Sequence, residues 1–256
     1  MNETNIAWTD ETWNPTHGCS KVSAGCKNCY AERISNRYNL TEYEWNPEHA
    51  NENVLLKPHK LEEPYSLSEP RRIFVDSMSD LFHSLVPEDY IREVFAVMRN
   101  CPRHVFQILT KRPGRAAHME IQWPENVWLG TSIEDDQVLD RIDLLQRCSA
   151  QTLFVSFEPL IGPVSELNLS TIDWAIVGGE SGPNYREMAH EWVWPIKDAC
   201  RDYDAAFFFK QSSAPTSETG TELLCRDGQY RPFRELPPLS EATLRARDAY
   251  EKKATV

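Results

Sequence analysis

From residue 73 to residue 211, short apolar runs alternate with longer amphipathic stretches, and that rhythm constrains the fold more than any other feature. The runs are Ile73–Val75, Val105–Leu109, Val127–Leu129, Leu153–Phe157, Trp174–Val177 and Ala206–Phe209. Helix-like segments fall between them, at about 87–99, 113–119, 134–147 and 190–203. Pro87 with Glu88 and Asp89 suits a helix first turn, because proline needs no hydrogen-bond partner there and acids favour the positive end of the helix dipole. Val138, Ile142 and Leu145 fall three and four apart, leaving Asp136, Asp140, Arg141 and Asp143 to point outward. Strand then helix, repeated, predicts parallel strands joined by crossover helices in an α/β fold. The strands are apolar almost throughout, as strands covered on both faces must be.

A further strand is expected at Ile6–Trp8. Residues 41–71 hold Pro47, Pro58, Pro64 and Pro70 among polar residues, and read as an insertion or lid. One domain over 1–236 therefore carries a small insertion, and 237–256 forms a C-terminal helical extension that frays at Lys252–Val256. No apolar run approaches the roughly 20 residues a membrane span needs, and the N-terminus lacks a secretory signal, so a cytoplasmic protein with no membrane partner is expected. The formal net charge of −12 argues against a protein that coats nucleic acid with its whole surface, while leaving room for a local basic patch. Oligomeric state leaves no signal in the sequence.

Each strand runs into polar residues. Val75 leads to Asp76 and Ser77, Leu109 to Thr110, Lys111 and Arg112, and Leu129 to Ser132 and Glu134. Val155 leads to Glu158, Val177 to Gly178, Gly179 and Glu180, and Phe209 to Lys210. In parallel α/β folds ligands bind where the strands end, so these residues predict a polar ring at one mouth of a sheet or barrel.

Seven cysteines are present, and Cys19, Cys26 and Cys29 cluster in a C-x6-C-x2-C arrangement. In a cytosolic chain such a cluster points to a metal site rather than a disulfide framework. Gly18 and Gly25 sit beside two of the ligands, where the backbone must turn tightly. Spacing alone admits two sites: a Cys3His zinc centre with His17 in a non-enzymatic binding module, or an iron–sulfur cluster. Three thiolates on a four-iron cluster leave one iron open to a cofactor or substrate.

The segment WNPTHGCSKVSAGCKNCYAE, a three-cysteine loop after a first strand and before a strand–helix series, resembles the radical S-adenosylmethionine superfamily. Within that superfamily it is similar to a phage-associated group labelled Gp37/Gp68-like. The resemblance covers about residues 6–211 and favours the cluster over zinc. It departs from the superfamily's usual C-x3-C-x2-C spacing, and Asn28 stands where an aromatic residue usually precedes the third cysteine, leaving Tyr30 to make the adenine contact.

The resemblance implies a partial (β/α)6 barrel, a [4Fe–4S] cluster on Cys19, Cys26 and Cys29, and S-adenosyl-L-methionine as second cofactor. It also implies an external electron donor, flavodoxin-like or ferredoxin-like. For the cofactor, Asp76 and Ser77 suit the methionyl end, Ser132 and Glu134 suit ribose and carboxylate contacts, and Gly178, Gly179 and Glu180 suit the nucleoside. Capping of the following helix is the competing role for Ser132. Lys111, Arg112, Glu158 and Lys210 are placed toward the substrate, with an ion pair between Glu158 and Lys210 or Arg112 as the alternative. Phage association in the relatives points to a base, a nucleoside or DNA as substrate, in a modification, isomerisation or repair-like lyase reaction.

Overall fold

The computed structural model describes residues 2–254. Seven parallel strands lie side by side in chain order: β1 (Glu11–Trp13), β2 (Arg72–Val75), β3 (Val105–Thr110), β4 (Val127–Ser132), β5 (Thr152–Phe157), β6 (Trp174–Gly178) and β7 (Ala206–Gln211). The sheet curls into a half-barrel of a mixed α/β fold, and Asn2–Glu3 pairs antiparallel with β1 at its edge. The helices are α1 (Tyr30–Arg37), α2 (Glu88–Asn100), α3 (Pro113–His118), α4 (Asp140–Leu145), α5 (Val193–Asp202) and α6 (Glu241–Ala254).

Alternation along each strand divides the apolar residues into two cores. Ile73, Val75, Phe106, Ile108, Leu129, Val155, Val177 and Phe209 pack in one cluster with Ile91, Val94 and Met98 of α2, Ile142 and Leu145 of α4, and Ile196 of α5. The opposite face gathers Phe74, Val105, Trp128, Phe154, Trp174, Ile176 and Phe208. Gly130 is required there, since a Cβ would come within 2.4 Å of the Phe154 ring.

The expected first strand at Ile6–Trp8 is not one. Thr9 N donates to Ile6 O at 3.2 Å, turning the chain, and Trp8 drops into the second core. Its ring lies 4.8 Å from Phe74 and 6.1 Å from Trp174. Burying an indole among aromatic rings gains more than extending a three-residue ladder. The first parallel strand starts instead at Glu11, after Asp10 has taken Arg72 N on its carboxylate at 2.8 Å.

Residues 41–71 contain short turns of helix and one two-residue ladder, Leu55–Leu56 against Thr16–His17. Trp13 Nε1 donates to Lys60 O at 2.7 Å, and Trp45 is buried, so this excursion is pinned beside the cysteine segment. At the C-terminus, where fraying is expected over Lys252–Val256, α6 runs on to Ala254, and the last two residues lie outside the described ones. Among the described residues no helix is long and apolar enough to cross a membrane.

Candidate metal and cofactor centre

The cysteine loop leaves β1 and folds back over the carboxyl ends of the strands. Gly18 has φ +81°, a left-handed conformation that suits glycine, and its N donates to Met78 O at 3.0 Å. A Cβ there would fall 1.9 Å from Asn53 O. At Gly25 a Cβ would meet the Glu134 side chain at 2.3 Å, so the loop rests directly on the fourth strand end. Cys26 closes a short 3₁₀ turn, Ala24–Cys26, and Cys29 is the N-cap residue of α1. All three cysteines are free, and none is fully buried as a residue.

Arg112 Nη1 donates to Cys19 Sγ at 3.5 Å and to Asp80 Oδ2 at 2.9 Å, while its Nη2 reaches Ser20 O at 2.9 Å. Asp80 also accepts from Thr110 Oγ1 at 2.7 Å and Lys111 N at 3.1 Å, which fixes the guanidinium against the sulfur. Burial pushes the Cys19 thiol up to about 12, the Asp80 charge adds to this, and Arg112 opposes it. Burial also raises Cys29, against donors from the Glu32 and Ala31 backbone in the first turn of α1. The charge of Cys26 raises both neighbours, so the three sulfurs share one electrostatic environment. The Cys19 and Cys29 thiols therefore keep their protons at neutral pH, and a bound metal must displace them.

His17 is engaged by other partners. Its Nε2 lies 3.3 Å from Ser35 Oγ, its ring packs edge-on to Trp45 at 6.1 Å, and burial with the charges of Lys57 and Lys60 lowers its pKa to about 4. Among the described residues no three His, Cys, Asp or Glu side chains gather around a single ion position. A mononuclear zinc site needs its ligand sulfurs within about 2.3 Å of one ion, whereas a four-iron core spreads its ligands more widely. Three free thiols, donors aimed at two of them, and a loop seated through glycines fit such a core.

The strand-end residues are placed as follows. Glu134 is buried, with Ser23 Oγ at 2.8 Å and Lys111 Nζ at 3.2 Å on Oε1, and Arg141 Nη1 at 3.0 Å on Oε2. Arg141, expected to point outward, is buried beneath the loop because this carboxylate and Ser132 O, at 2.8 Å, attract it. Ser132 does not cap the following turn; Asp135 does, accepting from Gln137 N at 2.9 Å. Glu158 and Lys210 pair at 2.5 Å and stay partly exposed in the mouth. Gly178 gives Glu158 room, since a Cβ would sit 3.2 Å from its carboxyl carbon, and Gly179 lies against Ser213 N.

Glu180 is fully engaged by the other side of the loop. Arg186 Nη2 reaches it at 2.5 Å, Arg186 N at 2.8 Å and Asn28 Nδ2 at 2.9 Å. Burial alone would raise its pKa, but those donors outweigh it and hold the carboxyl below its ordinary value. Arg186 Nη1 also donates to Ala24 O at 3.0 Å, so Glu180 clamps the cysteine loop rather than presenting a free carboxylate.

Asp76 is buried with φ +58°, and its Oδ1 accepts from Thr16 N at 3.0 Å. Burial raises it to about 8. Ser77 Oγ donates to Asn14 Oδ1 at 3.1 Å, and Ser77 O accepts from the Tyr30 hydroxyl at 2.6 Å. Tyr30 is 41% exposed while its hydroxyl is buried near Cys29 and Glu158.

The structure thus brings Cys19, Cys26, Cys29, Tyr30, Lys111, Arg112 and Glu134 together under one loop, with Glu158 and Lys210 beside them in the mouth. It shows internal partners for Asp76, Ser77, Glu134 and Glu180. Asn28, Asp80, Arg141 and Arg186 join the site without being among the residues expected there. Asn28 could have been found from its place between two cysteines, and Asp80 from the polar run that ends the second strand.

A family model described as "Protein of unknown function (DUF5131)" matches residues 3–238. The chain belongs to the DUF5131 family. The matched span takes in the cysteine loop and every parallel strand. No curated protein and no solved structure matches the chain.

Proposed function

We propose that this chain is a radical S-adenosylmethionine enzyme of the cytoplasm, built on a partial barrel of that superfamily's type and acting on a nucleic-acid base or nucleoside. One observation carries the reading: three free thiols sit at the carboxyl ends of parallel strands with donors aimed at their sulfurs, while His17 is engaged by other partners.

Cys19, Cys26 and Cys29 would hold a [4Fe–4S] cluster. Such a cluster would supply one-electron cleavage of the sulfonium C–S bond of S-adenosylmethionine, the source of a 5′-deoxyadenosyl radical. The chain's own residues do the rest. Arg112, held by Asp80, donates to Cys19 and offsets negative charge on the thiolates. The Glu180–Arg186 clamp fixes the loop between Cys26 and Cys29 through Asn28. Lys210 and Glu158, partly exposed, offer a donor and an acceptor to a polar substrate edge.

Anaerobic reconstitution with iron and sulfide tests the reading. A brown protein that forms 5′-deoxyadenosine from S-adenosylmethionine under reducing conditions, with formation lost in Cys19→Ala, Cys26→Ala and Cys29→Ala, supports it. A colourless protein holding one zinc per chain overturns it.

A further inference from the structure

Ser20, next to Cys19, is buried between Arg112 and a buried histidine, His83. His83 Nε2 lies 2.8 Å from Ser20 Oγ, and Arg112 Nη2 donates to the same oxygen at 3.2 Å. The backbone fixes which histidine nitrogen carries the hydrogen. Leu85 N donates to His83 Nδ1 at 3.2 Å, so Nδ1 is the acceptor and Nε2 bears the N–H. Burial, with the charge of Arg112, lowers the His83 pKa to about 4, which keeps the ring neutral. The turn that carries the ring is itself pinned. His83 N donates to Asp80 O at 2.8 Å, and His83 O accepts from Val86 N and from Arg115 Nη1.

Ser20 Oγ therefore receives two donors, which fill its lone pairs and leave its own hydrogen to be given away. A buried hydroxyl hydrogen needs a partner inside the fold. Asp80 is already occupied, because Phe82 N, Thr110 Oγ1, Lys111 N and Arg112 Nη1 all donate to its carboxylate. Ser20 O takes Arg112 Nη2 at 2.9 Å and the Cys19 thiol at 3.5 Å. The acceptor that remains is the Cys19 sulfur, which Arg112 Nη1 also reaches at 3.5 Å. In the free thiol that sulfur spends its hydrogen on Ser20 O. Once a metal has displaced the hydrogen, the sulfur is an acceptor only.

We infer that Ser20 is a second hydrogen-bond donor to the sulfur of metal-bound Cys19, and that His83 is the positioning residue that holds its hydroxyl to that role. The inference rests on the iron–sulfur reading above. A donor stabilises the reduced, more negative cluster more than the oxidised one, so Ser20 and His83 together raise the midpoint potential.

Potentiometric titration of the reconstituted protein, followed by electron paramagnetic resonance, tests this. Ser20→Ala should hold as much iron as wild type, while its reduction equilibrium falls about ten-fold, which is about 59 mV for one electron. Ser20→Thr, which keeps a hydroxyl, should titrate as wild type. His83→Leu should shift the potential in the same direction, and His83→Gln, whose amide offers an N–H in place of Nε2, should restore it. In the Ser20→Ala background His83→Leu should add nothing, because His83 acts only through Ser20. A Ser20→Ala potential equal to wild type, or a His83→Leu shift that persists in full in that background, overturns the inference while leaving the cluster standing. So does a Ser20→Ala protein that folds without loading iron, since the hydroxyl would then be structural. Where His83→Leu does not fold, Ser20→Ala against Ser20→Thr decides alone. A wild-type protein that takes up no iron and sulfide removes the iron–sulfur reading itself, and this role with it.

Discussion

The two ends of the inner face of this sheet are built from the same strands by opposite means. At one end Trp8, Phe74, Trp128, Phe154, Trp174 and Phe208 close the half-barrel with aromatic rings. At the other, where the strands finish, Asp80–Arg112, Glu134–Arg141 and Glu158–Lys210 are ion pairs around three thiols. The aromatic end gains stability from burial that needs no partner chemistry. The charged end buries groups that are costly unless paired, and folds usually tolerate that expense where a site needs fixed electrostatics.

If that division is right, mutations at the two ends should fail differently. Trp174→Ala removes a ring that touches four other aromatic residues, and should cost about 3–5 kcal/mol in denaturant unfolding. Whatever fraction folds should still load iron normally. Glu134→Ala strands Arg141 and Lys111 beneath the loop and should cost about 3 kcal/mol. Unlike the tryptophan change, it should also lower iron loading, because Ser23 loses the acceptor that seats the loop. Equal iron loading in the two variants would erase the distinction.

Asp76 sharpens the contrast through pH. Its folded pKa is raised to about 8 by burial, so between about pH 4 and pH 8 the folded state holds a proton that the unfolded state has released. Stability should therefore fall as pH rises through that window, by up to about 1.4 kcal/mol per unit, and level off above it. Asp76→Asn keeps an acceptor for Thr16 N and should remove this component of the decline, measured as thermal midpoints from pH 5 to 9. Arg112→Ala leaves the buried Asp80 carboxylate with only Phe82 N, Thr110 Oγ1 and Lys111 N as donors, so it should also destabilise the fold. It has a specific effect on the site as well. Losing the donor to Cys19 should lower the cluster's midpoint potential, by about 60 mV if the bond is worth about 1.4 kcal/mol.

The contrast also explains what was legible in the sequence. The strands from Arg72 to Gln211 announce themselves as continuous apolar runs, because both faces of the sheet are covered. The first strand does not, since Glu11–Trp13 presents one apolar residue while Ile6–Trp8, the more strand-like triplet, serves as a plug. Cysteine spacing points to the loop that forms the candidate site. It could not show that Glu180 spends its carboxylate on Arg186, or that Arg141 turns inward, because both follow from pairings settled only when the chain is folded. Local periodicity reports burial by apolar residues and is silent about a buried charge with a distant partner.

The central claim is that Cys19, Cys26 and Cys29 hold a cluster with one iron left open. Electron paramagnetic resonance of the reduced, reconstituted protein with and without S-adenosylmethionine tests it most directly. The account predicts a [4Fe–4S]⁺ signal whose g values shift when S-adenosylmethionine is added. A signal that S-adenosylmethionine leaves unchanged, or a protein that carries zinc and no iron, would contradict it.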